Sequence, residues 1–394
     1  MTRARQSGVS LIELMVALTI GLVLLGGLTY VFVNSSKSQR VGQEQAQEND
    51  NARYAMDTLT SDLHMAGYYG EYGSYTDGTA PAPDPCSTAP AVSDLGFPVQ
   101  GFVAGMTAGS SYVPTNQYPD LSATSCGSDL LPQDNLMPGS DVLVIRRVDS
   151  TPLAVGASAV AGQIYLQSNP LGAELQTGAG ADITSTSKAD GTTAADLTVY
   201  DTTTSSNVAG PLNQYYVDIY FVAPCSVPTG GGDTCTGATD DNGSPIPTLK
   251  MLQLNLSGTA MVFNTYTIAE GIQAMKLEFG IDNTPSSMST VTGRVGDGQA
   301  DCFEPDSVTP TPAATVYPST VAMKVFLISR SVSSIKNFTD TKDYEVSSPS
   351  SNSYGACASN GLSVQYGPYN DSYMRHGYES VVRLINMASR REIP

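Results

Sequence analysis

Gly8-Val9-Ser10-Leu11-Ile12-Glu13-Leu14-Met15-Val16-Ala17-Leu18 opens an apolar run that continues to Val33, with Glu13 as the one charge between Arg5 and Lys37. The twenty residues from Leu14 to Val33 would span roughly 30 Å as a helix, the thickness of a bilayer's hydrocarbon core. A short basic leader with Arg3 and Arg5 precedes the run and favours a cytoplasmic N-terminus with the rest of the chain outside. A cleaved secretory signal would have a shorter apolar region and a small-x-small exit, whereas this run begins at an acid and leaves through Asn34-Ser35-Ser36. A plain signal anchor explains the length and the basic flank but gives Glu13 no purpose. A carboxylate in hydrocarbon is costly unless paired, so Glu13 demands a partner that the segment itself does not contain.

No proline occurs before Pro81, which permits one helix from Val9 to about Ala66. Lys37 to Asn51 is almost all polar; then Ala52, Ala55, Met56, Leu59, Leu63 and Ala66 recur at three- and four-residue steps. That stripe is expected to pack on a sheet. Gly67 reads as the residue that ends the helix, and the glycines at 21, 26, 27 and 42 as places where it could bend.

Beyond a Pro- and Tyr-rich passage over 68–100, short β-branched runs predict strands at Asp141–Val148, Gln163–Gln167, Leu197–Tyr200, Tyr215–Ala223, Leu249–Leu256, Ala260–Tyr266, Met275–Ile281, Val321–Ser329 and Ser380–Ile385. Several alternate with polar residues, as half-exposed antiparallel strands do. No helix-length pattern separates them, which argues against a doubly wound fold. The stretches 168–211, 305–319 and 346–360 read as long surface loops. The fold class expected is α+β: a long N-terminal helix, half transmembrane and half amphipathic, packed on antiparallel sheet in a large β-rich head. The divisions expected are a basic leader over 1–8, a transmembrane helix over 9–34, an amphipathic helix over 35–67, and a head over 68–394 of one or two lobes.

Without the leader's two arginines, 17 of the 19 basic residues remain against 37 acids, a formal charge of −20. The basic residues are scattered, so nucleic acid is excluded as a partner. Six cysteines, Cys86, Cys126, Cys225, Cys235, Cys302 and Cys357, lie in the exported part in even number, with no C-x-x-C pair, which points to disulfides. Cys225 and Cys235 flank Thr229-Gly-Gly-Gly-Asp233, a loop flexible enough to bring them together. Chain order alone suggests 86–126 and 302–357 for the rest.

Catalytic signatures are missing: there is no G-x-S-x-G, no H-E-x-x-H, and only His64 and His376, so an enzyme is not expected. His64 and His376 read as packing or surface residues, and Gly293–Gly298 as a turn. Asp297-Gly298-Gln299-Ala300-Asp301, with Asp282 nearby, is an acidic turn of the kind that can hold Ca²⁺, although the full calcium-loop pattern is not there. Asp240-Asp241-Asn242-Gly243 is a tight turn, since Asp/Asn-Gly supports positive φ.

The segment Gly8 to Leu18 resembles the class III signal of type IV prepilins and type II secretion pseudopilins. The resemblance implies that prepilin peptidase cuts Gly8–Val9 and methylates the amine of Val9, where Phe or Met is commoner than Val. It also implies that Glu13, the fifth mature residue, pairs in the filament with a neighbour's N-terminal ammonium. Asn51–Tyr68, Glu270–Asp282, Val321–Arg330 and Tyr378–Asn386 are similar to segments of PilW-type minor pilins; in such sequences an Asp-rich turn follows the strand matching Glu270–Asp282, and here 283–296 interrupts it. The match to a GspJ-type pseudopilin is similar in layout. The function expected is a non-enzymatic minor pilin that helps initiate pilus assembly, with other minor pilins, a tip adhesin, prepilin peptidase and the inner-membrane assembly platform as partners. It would sit in inner-membrane lipid with its head in the periplasm, then in the pilus near the tip, without a cofactor other than possible Ca²⁺. Membrane-anchored periplasmic hydrolases or binding modules are the rivals from other classes.

Overall fold

The structure is a computed structural model and describes residues 10–73, 82–103, 126, 130–132, 135–154, 160, 163–176, 197–203, 205–257, 260–282, 296–305, 317–347 and 363–391. Helix α1 (Leu11–Met65) is 55 residues long, about 80 Å at 1.5 Å per residue. It stays helical through Gly21, Gly26, Gly27 and Gly42. Residues 11–40 are exposed throughout, a free rod of about 45 Å. Below them Glu48, Ala52, Ala55, Leu59 and Leu63 are buried, the three- and four-residue steps that put one stripe on one face.

The strands are β1 (Val99–Val103), β2 (Asp141–Val148), β3 (Ile164–Asn169), β4 (Gly172–Gln176), β5 (Thr198–Asp201), β6 (Ser206–Ala209), β7 (Leu212–Ala223), β8 (Thr248–Ser257), β9 (Ala260–Glu270), β10 (Ile272–Ile281), β11 (Cys302–Pro305), β12 (Thr320–Arg330), β13 (Tyr344–Ser347), β14 (Ser363–Tyr366) and β15 (Arg375–Arg383), followed by helix α2 (Ile385–Arg391). A seven-stranded sheet runs β1-β2-β7-β3-β4, with β8 on β7 and β9 on β8. The twelve-residue β7 is its axis: β2 lies along one edge, and β3 and then β8 along the other. A four-stranded sheet runs β11-β10-β12-β15, and β5–β6 and β13–β14 are two-stranded ribbons. All pairings are antiparallel.

The short strands β1, β11, β13 and β14 are not among the expected ones, and two further differences have clear causes. The 168–211 segment carries β4 and β6 beside the expected strand near Leu197–Tyr200, which is β5; β4 and β6 are short ribbon strands whose polar residues hide the alternation. The last strand stops at Arg383, and Ile385 begins α2 where a continuing strand was expected. Leu384 N–H bonds Val321 O, after which Met387 and Ala388 turn inward and are buried.

One core joins both sheets to the helix. Ala55, Leu59, Leu63 and Ala66 pack with Leu143, Tyr220 and Val222 of the large sheet and with Met275, Leu277, Met323, Val325 and Leu327 of the small one. Leu59 and Leu63 are fully buried, each contributing about 2 kcal/mol by transfer alone. A second core covers the other face of the large sheet, with Val142, Val144, Val217, Ile219 and Phe221 under loops carrying Cys86, Cys126, Cys225 and Cys235. The sheets are fastened by a buried ion pair, Lys276 Nζ to Asp141 Oδ1 at 2.6 Å, while Asp141 Oδ2 accepts from Leu277 N at 2.9 Å.

Candidate assembly site on the N-terminal helix

The start of α1 is closed locally. Ser10 Oγ accepts from Ile12 N at 3.4 Å, and Glu13 Oε2 accepts from Ser10 N at 2.9 Å, a capping box that satisfies amides with no helical partner. Glu13 therefore stands in the first turn of the rod. Gly8 and Val9, the expected processing and methylation residues, lie outside the described residues. Leu11, Ile12, Leu22, Val23, Leu24, Leu28 and Phe32 are more than two-thirds exposed, and the segment is long and apolar enough to cross a membrane.

The rod is seated on the head by polar groups at both ends of its buried stripe. At the upper end Glu48, 1% exposed, accepts on Oε1 from Ser329 Oγ at 2.6 Å and lies 2.9 Å from His376 Nδ1. The serine and the histidine address the same carboxylate oxygen, so this is a fastening between helix, β12 and β15. Asn49 Oδ1 accepts from the Tyr378 hydroxyl, and Asn51 Nδ2 donates to Glu270 O at 3.1 Å.

Near the lower end, Asp62 accepts from the Tyr220 hydroxyl and pairs with Arg147 at 3.0 Å. Arg147 also lies 3.3 Å from Asp218 and over the Tyr216 ring at 4.5 Å. Burial, then the charge of Asp62, pushes Asp218 up to about 7, against the pull of Arg147 and the Gln253 hydrogen bond. Burial pulls Arg147 down, but Asp62 and Asp218 outweigh it and hold the guanidinium above its ordinary value. The cation thus keeps its charge firmly while one of its acids does not, because the two acids share it: Asp62 takes the closer contact, and Asp218 is left short. The helix C-terminus is closed by α2, with Asn386 Nδ2 donating to His64 O and Ala66 O at 3.2 Å and Arg390 Nη2 to Gly67 O at 2.9 Å, a cation placed at the negative helix end. Gly67 sits at φ +71, where a Cβ would meet Pro98 and Met387 at 3.2 and 3.3 Å.

The remaining expected residues fall elsewhere. Cys86–Cys126 and Cys225–Cys235 are disulfides; Cys302 is also disulfide-bonded, its partner and Cys357 lying outside the described residues. Cys225, Cys235 and Asp240 come within metal-ligand spacing of one another, but the sulfurs are spent on the disulfide. Asp240 instead accepts from Thr229 N, Thr236 N and Oγ1, and Gly237 N. Burial raises its pKa, yet those bonds outweigh it and hold the carboxyl below the usual range. Asp241, at φ 50, accepts from Ser226 N, Val227 N and Ile246 N. Of the acidic turn, Asp282 is buried and accepts on Oδ2 from Gly298 N at 2.8 Å and Arg391 Nε at 3.2 Å. Asp297 accepts from Gln299 N at 2.9 Å, and Asp301 N donates to Ile281 O. Among the described residues these three acids do not form a cluster of metal-ligand spacing. His64 is exposed on α1.

A long helix, half bare and apolar and half locked to a β-rich head, thus carries a capping acid at its tip. The family model for the prokaryotic N-terminal methylation motif matches residues 3–29, and the model for Type IV Pilus-assembly protein W matches residues 236–386. Over the second match, which spans β8 to β15 and includes Ser329 and His376, the residues that hold Glu48, the chain is similar to that family. Searches of the curated proteins and of the solved structures found no match.

Proposed function

We propose that the chain is a non-enzymatic minor pilin that helps initiate type IV pilus assembly, near the tip, together with other minor pilins and a tip adhesin. The observation that carries this reading is the bare rod: residues 11–40 are exposed, yet most of its first 23 residues are apolar, a surface that water disfavours. It needs lipid before assembly and neighbouring helices afterwards. Glu13 has its Oε2 on Ser10 N; pairing of its carboxylate with a neighbour's Val9 ammonium would withdraw two charges from the filament core together. The head would lie in the periplasm while the rod is in the inner membrane, after prepilin peptidase has cut Gly8–Val9.

Intact-mass measurement on membrane protein tests the processing: a chain starting at Val9 with one methyl group is expected. Retention of Met1, or cleavage beyond Val33, overturns the pilin reading.

A further inference from the structure

We infer that the free edge of β9 is a strand-addition site for an extended segment of a neighbouring pilus subunit's head, a different chain from this one. Strand β9 pairs only with β8 among the described residues. No hydrogen bond from a described residue reaches its other edge along 260–269. Among the described residues, nearly all of this eleven-residue edge is therefore open, about 35 Å at strand rise.

Sheet edges are usually defended by charge, by proline or by a cover, because an open row of N–H and C=O groups templates pairing with another chain. The other edges in this head follow the rule. β15 carries Arg375, His376, Glu379 and Arg383, and β4 carries Glu174. β1 is covered by Gln100 Nε2 bonding Pro83 O and by the Tyr317 hydroxyl bonding Gly101 O. Among the described edges, β9 alone runs ten residues, Ala260 to Ala269, with no charge and no proline. Its register against β8 is regular from Lys250↔Thr267 to Ser257↔Ala260, and the one irregularity, between Thr267 and Ala269, lies at the end next to α1, so the edge over 260–267 is not twisted away by a bulge.

Two features point to the occupant. The edge opens at Met261, Val262 and Phe263 onto a groove of about 710 Å³, whose far wall is Asp84 to Thr88, fixed by the Cys86–Cys126 disulfide. Such a groove takes side chains of an extended peptide, as in strand-addition complexes generally. The other end of β9 is tied to α1 through Asn51 and Glu270 O, so helices packed side by side would bring a neighbour's head to this edge. A second copy is disfavoured by charge, since each chain carries −18 and like-charged heads repel. A neutral or basic strand is the complement.

The inference rests on the pilin reading, and the test separates the two. p-Benzoylphenylalanine is placed at Ala260, Val262, Asn264 or Tyr266 on β9, and at Leu24 on α1, in full-length protein in cells making pili. Adducts are identified by mass spectrometry. The expected result is that β9 positions capture another subunit's head, that Leu24 captures subunit helices, and that Asn264→Lys with Tyr266→Lys lowers only the β9 adducts several-fold. An unchanged circular dichroism melt of the double variant shows that the head still folds, and Thr267→Lys provides a milder edge charge if it does not. Leu24 adducts without β9 adducts overturn the strand-addition site and leave the pilin reading standing. Absence of both overturns both, and β9 adducts to a second copy overturn the assigned occupant.

Discussion

Replacing Asp218 by Asn should stabilise the protein at pH 8 and leave it nearly unchanged at pH 4. The Asp218 carboxyl is fully buried, receives Gln253 Nε2 at 2.7 Å, and shares Arg147 with a closer competitor, Asp62. Burial and Asp62 push it from 3.8 up to about 7. Because the folded value is the higher one, its contribution is fully present below about pH 4 and is lost as pH rises towards 7, while the unfolded chain ionises and the folded chain resists. Roughly three pH units at ~1.36 kcal/mol each give a swing of about 4 kcal/mol, an order-of-magnitude figure. Asn keeps the size and an acceptor for Gln253 but cannot ionise, and Arg147 keeps Asp62. Urea unfolding of the full chain in detergent micelles, at half-unit steps from pH 4 to 8, measures the difference. Parallel curves for the two proteins would refute the reasoning, as would a variant less stable at pH 8.

Glu13→Ala should insert, fold and be processed normally, since the anchor becomes more apolar and loss of the capping contact costs only about 1 kcal/mol; the count of surface pili and crosslinking to partner subunits at equal membrane abundance should fall, and unchanged values would return Glu13 to a purely capping role. Cys225→Ser with Cys235→Ser should lower stability by up to ~3 kcal/mol by urea melt, less if Asp240 and Asp241 hold the loop in its place, and non-reducing peptide mapping of exported protein should find no free thiol. Leu63→Ala should cost 2–5 kcal/mol, roughly, read by the same melt, with an effect below about 1 kcal/mol counting against the shared core. Millimolar Ca²⁺ tests the turn at Asp297 and Asp301: a rise in melting temperature that Asp297→Ala removes establishes a site, and an unchanged melt leaves Asp282 to Arg391 and Gly298.

What sequence made legible was local. The run from Leu11, the stripe Ala52-Ala55-Leu59-Leu63 and the β-branched strand at Asp141–Val148 each show their pattern within a few turns or pleats. The seat of the helix was not legible in this way, because its partners are remote. Glu48 lies in a stretch that reads as uniformly polar, yet it is buried by Ser329 and His376, 281 and 328 residues on. Asp282 looks like a turn acid and is claimed by Arg391. Gln299-Ala300-Asp301 and the cysteines were visible as chemistry, but which groups faced them depended on the whole topology. Val381-Val382-Arg383-Leu384-Ile385 reads as one strand because nothing local reveals that Leu384 ends the pairing; the buried Met387 and Ala388 were the available hint.

The polar fastenings explain something the apolar stripe cannot. Alanine and leucine at three- and four-residue steps look much the same after a slip of one turn, ~5.4 Å, so hydrophobic packing alone would let α1 ratchet along the sheets. Glu48 and Asp62 are fourteen residues apart on the helix, about 21 Å, and each meets a different set of partners on the head. A one-turn slip would strand both carboxylates against buried surface, at a cost of several kcal/mol for each uncompensated charge. The register of α1 is thereby set from both ends. With it is set the length of rod that emerges above the head, which is the quantity that must match from subunit to subunit if the helices are to pack at one depth.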